Sequence, residues 1–134
     1  MGAPLRELED GSPACRLIAW EVTRSCNLAC QHCRAEAHTD PYPGELSTAE
    51  AKALIDTFPQ VGKPIIIFTG GDPMMRADVY ELVAYAHSKG LPCAFSPNGT
   101  LITPENAQKI KDAGVNRCSI SIDGPDAASH DSFR

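Results

Sequence analysis

The chain has no apolar run near the roughly 20 residues that a membrane-spanning helix needs, and no charged-then-apolar secretory segment opens it. Basic charge is in deficit. Twelve Lys and Arg stand against 17 Asp and Glu, a formal net charge of −5, whereas a nucleic-acid binder shows a basic patch. The Met1-Gly2 start would suit N-myristoylation, but Arg6 stands where that motif takes Ser or Thr. There is no second Cys-x-x-Cys pair and no following pair of histidines, the usual partners in a zinc site. Internal repeats are also missing. What remains is ordinary for a globular domain: 134 residues, 43% hydrophobic and 22% charged, enough for one real core. The expectation is a protein without membrane or nucleic-acid partners, working in the cytoplasm. Six cysteines would otherwise suit a secreted disulfide scaffold. Cys15, Cys93 and Cys118 are scattered, however, and two of them lie in apolar strand-like runs, where a thiol usually acts as a small hydrophobe.

Residues 1–15 are polar, with Gly and Pro, and read as a flexible leader; residues 16–134 read as the domain proper. Leu17-Ile18-Ala19-Trp20-Glu21-Val22 is a short strand. Turn chemistry over Asp40-Pro41-Tyr42-Pro43-Gly44 precedes a capping box, Ser47-Thr48-Ala49-Glu50. Ala51, Leu54, Ile55 and Phe58 then mark one helix face. Pro64-Ile65-Ile66-Ile67-Phe68 is apolar throughout, as a strand buried on both faces requires. Asp78 can cap the next helix, whose inner face is Val79, Leu82, Val83 and Ala86 and whose stop is Lys89-Gly90. Pro92-Cys93-Ala94-Phe95 is a third strand, and Thr103-Pro104 opens a third helix, which Gly114 closes. Residues 115–123 read as a fourth strand, with Cys118, Ile120 and Ile122 on an apolar face and Ser119, Ser121 and Asp123 on a polar one. This alternation predicts an α/β fold with a parallel sheet and right-handed crossovers. Its ligands belong at the carboxyl ends of the strands, where every polar or glycine-rich motif falls.

The chemistry is concentrated in Cys26-Asn27-Leu28-Ala29-Cys30-Gln31-His32-Cys33. Thiolates are the ligands of soft metals and iron–sulfur clusters. Three of them on a cubane leave one iron without a protein ligand, open for chemistry. The spacing Cys-x-x-x-Cys-x-x-Cys resembles that of the radical S-adenosylmethionine (radical SAM) enzymes, and the resemblance extends over residues 20–134. Gly70-Gly71-Asp72-Pro73 resembles the family's Gly-Gly-Glu-Pro, with an acid one methylene shorter.

The resemblance implies a partial (βα) barrel made of the first four strands, with a [4Fe–4S] cluster on Cys26, Cys30 and Cys33. It implies S-adenosylmethionine bound at Gly70, Gly71, Asp72 and Pro73, where its amino group is received. Asn98, Ser119 and Ser121 would touch the ribose or the methionine carboxylate, and Arg134 would pair with that carboxylate as a guanidinium fork. His32 would lie over the adenine, with a metal-ligand role or plain solvent exposure as alternatives. The implied activity is reductive cleavage of S-adenosylmethionine to a 5′-deoxyadenosyl radical that abstracts hydrogen from a small-molecule or peptide substrate. Such an enzyme takes its electron from a donor such as flavodoxin or ferredoxin and works under anaerobic conditions. The closest look within the family is the branch of alternative haem-biosynthesis decarboxylases and peptide-maturation enzymes. The chain reads as the amino-terminal part of such an enzyme. A rival reading is a non-catalytic iron–sulfur or zinc module with a fourth protein ligand, which leaves Gly70 to Pro73 unexplained.

Overall fold

The computed structural model describes residues 6–132 and 134. Four parallel strands form one open sheet in the order β1 (Leu17–Thr23), β2 (Ile65–Gly70), β3 (Cys93–Phe95) and β4 (Arg117–Cys118). Helices α1 (Thr48–Thr57), α2 (Val79–Ser88) and α3 (Pro104–Asp112) connect them, and a short α4 (Ala127–Asp131) follows β4. The strand order follows the chain order, as expected for successive βα units that begin to close a barrel.

All three long helices pack on the same sheet face. Val22, Ile66, Phe68, Cys93 and Phe95 from the strands meet Ala51 and Ile55 of α1, Val79, Leu82, Val83 and Ala86 of α2, and Ile110 of α3. Phe68 and Phe95 are fully buried, and each contributes about 1.5–3 kcal/mol of hydrophobic stabilisation. Trp20 packs edge-on to Phe58 with centroids 6.1 Å apart. On the opposite face Leu17 and Ile65 are exposed, so β2 is covered on its helical side and open on the other. Cys93 behaves as the small hydrophobe expected of it: burial pushes its thiol up to about 11. Cys118 does not, since it lies exposed.

The local signals at the helix starts are realised with one exception. Ser47 and Glu50 form both halves of the capping box, and Thr103 accepts from Asn106 N at the start of α3. Asp78 occupies the N-cap of α2 but makes no cap bond. Its carboxylate accepts instead from Arg76 Nε at 2.6 Å and Thr48 Oγ1 at 2.7 Å, because a guanidinium two residues away is the stronger donor.

The fourth strand is the main departure from expectation. It covers two residues rather than 115–123. Ser119 N still donates to Phe95 O, but further along β3 the partner groups run out. Pro97 has no N–H, and Asn98 N is already donated to Asp72 Oδ2 at 2.7 Å. With no ladder to join, Ile120 and Ile122 lie exposed, and the chain turns into α4, which is capped by Asp126 accepting from Ser129 N at 2.8 Å. Within the segment read as a leader, residues 6–15 form a small hairpin, with Glu7 bridged to Pro13 and Cys15 N donating to Val61 O. Residues 1–5 lie outside the described residues.

Candidate functional site

β1 delivers the chain into the cysteine loop through two buried hydroxyl residues, Thr23 and Ser25. The loop returns on itself: Ser25 pairs with His38 in a parallel bridge, and Cys26 N donates to His38 O at 2.8 Å. A tight turn, Cys33 N to Cys30 O at 3.1 Å, brings the second and third cysteines round together. The returning arm is clamped by Glu45. Its Oε1 accepts from Thr23 Oγ1 at 2.6 Å, Arg24 N at 3.0 Å and Tyr42 N at 3.3 Å. Partial burial pulls the Glu45 pKa upward. The three hydrogen bonds and the Arg76 charge outweigh it and hold the carboxyl below its ordinary value. Arg76 ties the same region from beneath, donating to Val22 O at 2.9 Å and Leu46 O at 2.8 Å.

The end of β2 explains the two glycines. Gly71 N donates to Thr23 O at 2.9 Å and Asp72 N to Ser25 O at 2.8 Å, so the two strand ends stay in contact past a bulge in β1. A Cβ at Gly71 would stand 2.4 Å from Ser25 O and 2.5 Å from Arg24 O, and one at Gly70, where φ is +150°, would stand 2.1 Å from Thr23 O. The missing side chains make room for the backbone of the cysteine loop.

Asp72 is fully buried. Its Oδ1 accepts from Met74 N at 2.8 Å and its Oδ2 from Asn98 N at 2.7 Å. The carboxylate thus joins the turn after β2 to the turn after β3. Each oxygen accepts one backbone N–H, and the resemblance to Gly-Gly-Glu-Pro bears here on the main chain before the acid.

The structure gathers most of the sequence-predicted residues on one open cleft of about 450 Å³. Cys26, Cys30 and Cys33 line it together with His32, Gly70, Gly71, Asn98, Ser121 and Arg134. Asp72, Pro73 and Ser119 are not on it. Pro73 is buried, and Ser119 lines a separate cleft floored by Ile65 and Ile67. The two serines expected on a single strand face part company because β4 stops before Ser121. Arg134 reaches back over the cysteine loop: Nε donates to Asp123 Oδ2 at 2.5 Å, and Nη1 lies 3.8 Å from Cys30 Sγ. His32 Nε2 is 3.9 Å from the same Asp123 carboxylate.

Sequence reasoning missed Glu21 and Arg34 on the cleft wall. Glu21 was recoverable from β1 alternation, since it faces away from the core while Trp20 and Val22 face into it.

Among the described residues, no three His, Cys, Asp or Glu side chains converge on a point that would hold one metal ion. A cubane does not ask for that, because each of its corner irons takes its own thiolate. All six cysteines are free thiols. The fit to such a cluster rests on the donor set: three thiols, one buried and two half-buried, face one cleft, and N–H donors stand at two of the sulfurs.

The family model of the radical SAM superfamily matches residues 20–134. The chain belongs to the radical SAM superfamily. It is 81% identical over 129 residues to the AdoMet-dependent heme synthase of Nitratidesulfovibrio vulgaris, covering 96% of this chain and 35% of that protein. It is 50% identical over 119 residues to the protein of the same name from Methanosarcina barkeri, covering 89% of this chain and 34% of that one. The mycofactocin maturase of Mycobacterium tuberculosis is 37% identical, across 97% of this chain and 33% of its own length. The chain therefore spans about a third of the length of the curated relatives it matches. Among solved structures, BtrN in complex with AdoMet and 2-DOIA shares the fold at a TM-score of 0.68 and 20% identity, over 79% of this chain and 45% of that one. Native anSMEcpe with bound AdoMet and Cp18Cys peptide does so at 0.66 and 23%, over 91% of this chain and 35% of that one.

Proposed function

We propose that this chain is the cluster- and AdoMet-binding part of a radical SAM enzyme acting in haem-precursor decarboxylation. The observation that carries it is the meeting of Cys26, Cys30 and Cys33 with the end of β2 on a single cleft. Cys26, Cys30 and Cys33 would hold a [4Fe–4S] cluster, which supplies one-electron reduction of the AdoMet sulfonium and hence a 5′-deoxyadenosyl radical. The chain's own residues do the binding and orienting. The backbone at Gly70 and Gly71 would receive the amino group of AdoMet. With Asp72 committed to backbone donors, that contact falls to main-chain groups rather than to the acid. Ser121 lines the same cleft for hydroxyl and carboxylate groups, Asn98 lines it with an amide held by its neighbours, and His32 lines it for the adenine. Arg134 brings a guanidinium with five N–H donors, enough to keep Asp123 and still meet the cofactor carboxylate.

The heme-synthase names of the relatives at 81% and 50% identity support the haem branch over peptide maturation. The electron donor belongs to the class of flavodoxin or ferredoxin, and the cytoplasm is the compartment such donors share. Residues 16–134 are assigned as the amino-terminal portion of the barrel domain and residues 1–15 as its leader. Anaerobic reconstitution with iron and sulfide, followed by electron paramagnetic resonance (EPR) with and without AdoMet, tests the assignment. A cluster signal that changes on adding AdoMet is expected. A cluster blind to AdoMet would return the chain to the electron-carrier reading.

A further inference from the structure

The three cysteine sulfurs are served unequally. Cys26 Sγ lies 3.4 Å from Leu28 N within its own loop and 3.7 Å from Asn98 Nδ2, a side chain from the turn after β3. Cys30 Sγ lies 3.8 Å from Arg134 Nη1, which arrives from the far end of the chain. Among the described residues, no hydrogen bond reaches Cys33 Sγ.

Neither distant donor is loose. The Asn98 amide belongs to a closed ring. Asn98 Nδ2 donates to Asn27 Oδ1 at 2.9 Å, Asn27 Nδ2 to Thr100 Oγ1 at 2.8 Å, and Thr100 Oγ1 to Asn98 Oδ1 at 2.7 Å. Thr100 N also donates to Asn98 Oδ1 at 2.9 Å. A backbone N–H can only donate, so this last bond fixes which end of the amide is oxygen and leaves the NH₂ group facing Cys26. The Asn98 backbone is pinned in turn by buried Asp72. Arg134 is held in the same manner by Asp123, which takes both Nε and Nη2 and leaves Nη1 toward Cys30. Each donor is thus fixed by a carboxylate that does not itself touch a sulfur.

We propose that Asn98 and Arg134 are positioning residues that set the reduction potential of the cluster, by donating N–H groups to the thiolates of Cys26 and Cys30. This rests on the cluster assignment above. Hydrogen bonds to ligand sulfur and nearby positive charge stabilise the more electron-rich reduced cluster and raise its potential. Asn98 supplies the first of these effects and Arg134 both. Asp72 and Asp123 then act one step further back, through the groups they hold.

The test is a potentiometric titration of the reconstituted chain, read by EPR, with iron content measured alongside. Asn98→Leu keeps roughly the size of the side chain and removes its donor without adding charge; Arg134→Met removes donor and charge; Arg134→Lys restores the charge. At the parent's midpoint, each of the first two variants is expected to show a reduced-to-oxidised ratio about tenfold lower, roughly 59 mV more negative for one electron. Arg134→Lys is expected to recover most of that change. Should Asn98→Leu lose iron, Asn98→Ala takes its place. Unmoved midpoints in iron-loaded variants would overturn the proposal while leaving the cluster assignment intact. Variants that hold no iron at all would make the two residues parts of the loop's fold and overturn it as well. A parent chain that takes up no cluster would overturn the assignment itself.

Discussion

The layered half of the molecule and the stretch from 119 to 134 are built on different principles. From β1 to α3, the strands bury Ile66, Phe68, Cys93 and Phe95 against three helices, and apolar area does the holding. After β4 the described residues bury little: Ile120 and Ile122 lie exposed, and α4 contributes no buried residue. Among its described residues the stretch is held by polar contacts, among them Arg134 on Asp123, Asp123 N on His130 Nδ1 and Gln31 Nε2 on Ser132 O. The first two lie within the stretch, and Gln31, with Arg134 Nη1 beside Cys30 Sγ and His32 near Asp123, ties it to the cysteine loop. The core should therefore stand without the cleft, while the cover over the cleft should depend on the loop beneath it.

The largest effect should come from the layered half. Phe68→Ala removes a fully buried ring and should cost about 3–5 kcal/mol, read as the midpoint of a denaturant titration. A midpoint close to the parent's would show that burial is not what holds this half.

Gly71→Val acts at the join of the two regions. Its Cβ would run into the carbonyls of Arg24 and Ser25, so the cysteine loop must move. A loss of about 1–3 kcal/mol or more is expected, with cluster iron falling as well. Full iron with only the AdoMet response gone would mean that the glycine clears space for the cofactor rather than for the loop.

Glu45→Gln should cost less, about 0.5–1.5 kcal/mol, because the amide keeps an acceptor oxygen and loses only the charge assistance, and should speed proteolysis within residues 35–46. The same clamp carries a pH signature. The folded carboxyl sits below its ordinary value, so its contribution is present above the ordinary carboxylate range and is lost as pH falls through the folded pKa. In the parent, the loop should become protease-sensitive on acidification before the core unfolds. In the Gln variant, that step should vanish.

Ile122→Ser, on the polar-held stretch, should change stability by no more than about 0.5 kcal/mol. A larger loss would reveal burial there that the exposed side chain does not suggest.

What the sequence disclosed divides along the same line. The three-residue and four-residue spacing of α1 and α2, the capping box at Ser47 and the unbroken apolar run of β2 are local signals with local causes, and the structure follows them. The cysteine triplet and Gly70-Gly71 were legible as a rim because strand ends collect at one side of a parallel sheet. The reason for the glycines was not, since the carbonyls they accommodate lie some 46 residues earlier in the chain. The fate of Asp72 was hidden for the same reason: its partner Asn98 N arrives from the turn after β3. The alternating pattern over 115–123 promised a strand, but a strand needs a free edge. Pro97 and the engaged Asn98 N–H withdrew it, a matter of pairing that periodicity does not record.

The central claim is that Cys26, Cys30 and Cys33 alone among the cysteines hold the cluster. It is tested most directly by iron content and the EPR signal after anaerobic reconstitution of single Cys→Ala variants at all six positions. Loss of signal is expected for Cys26, Cys30 and Cys33, and iron near the parent's for Cys15, Cys93 and Cys118. A requirement for Cys15, Cys93 or Cys118 equal to that for Cys30 would mean four protein ligands and no open iron, and would contradict the account.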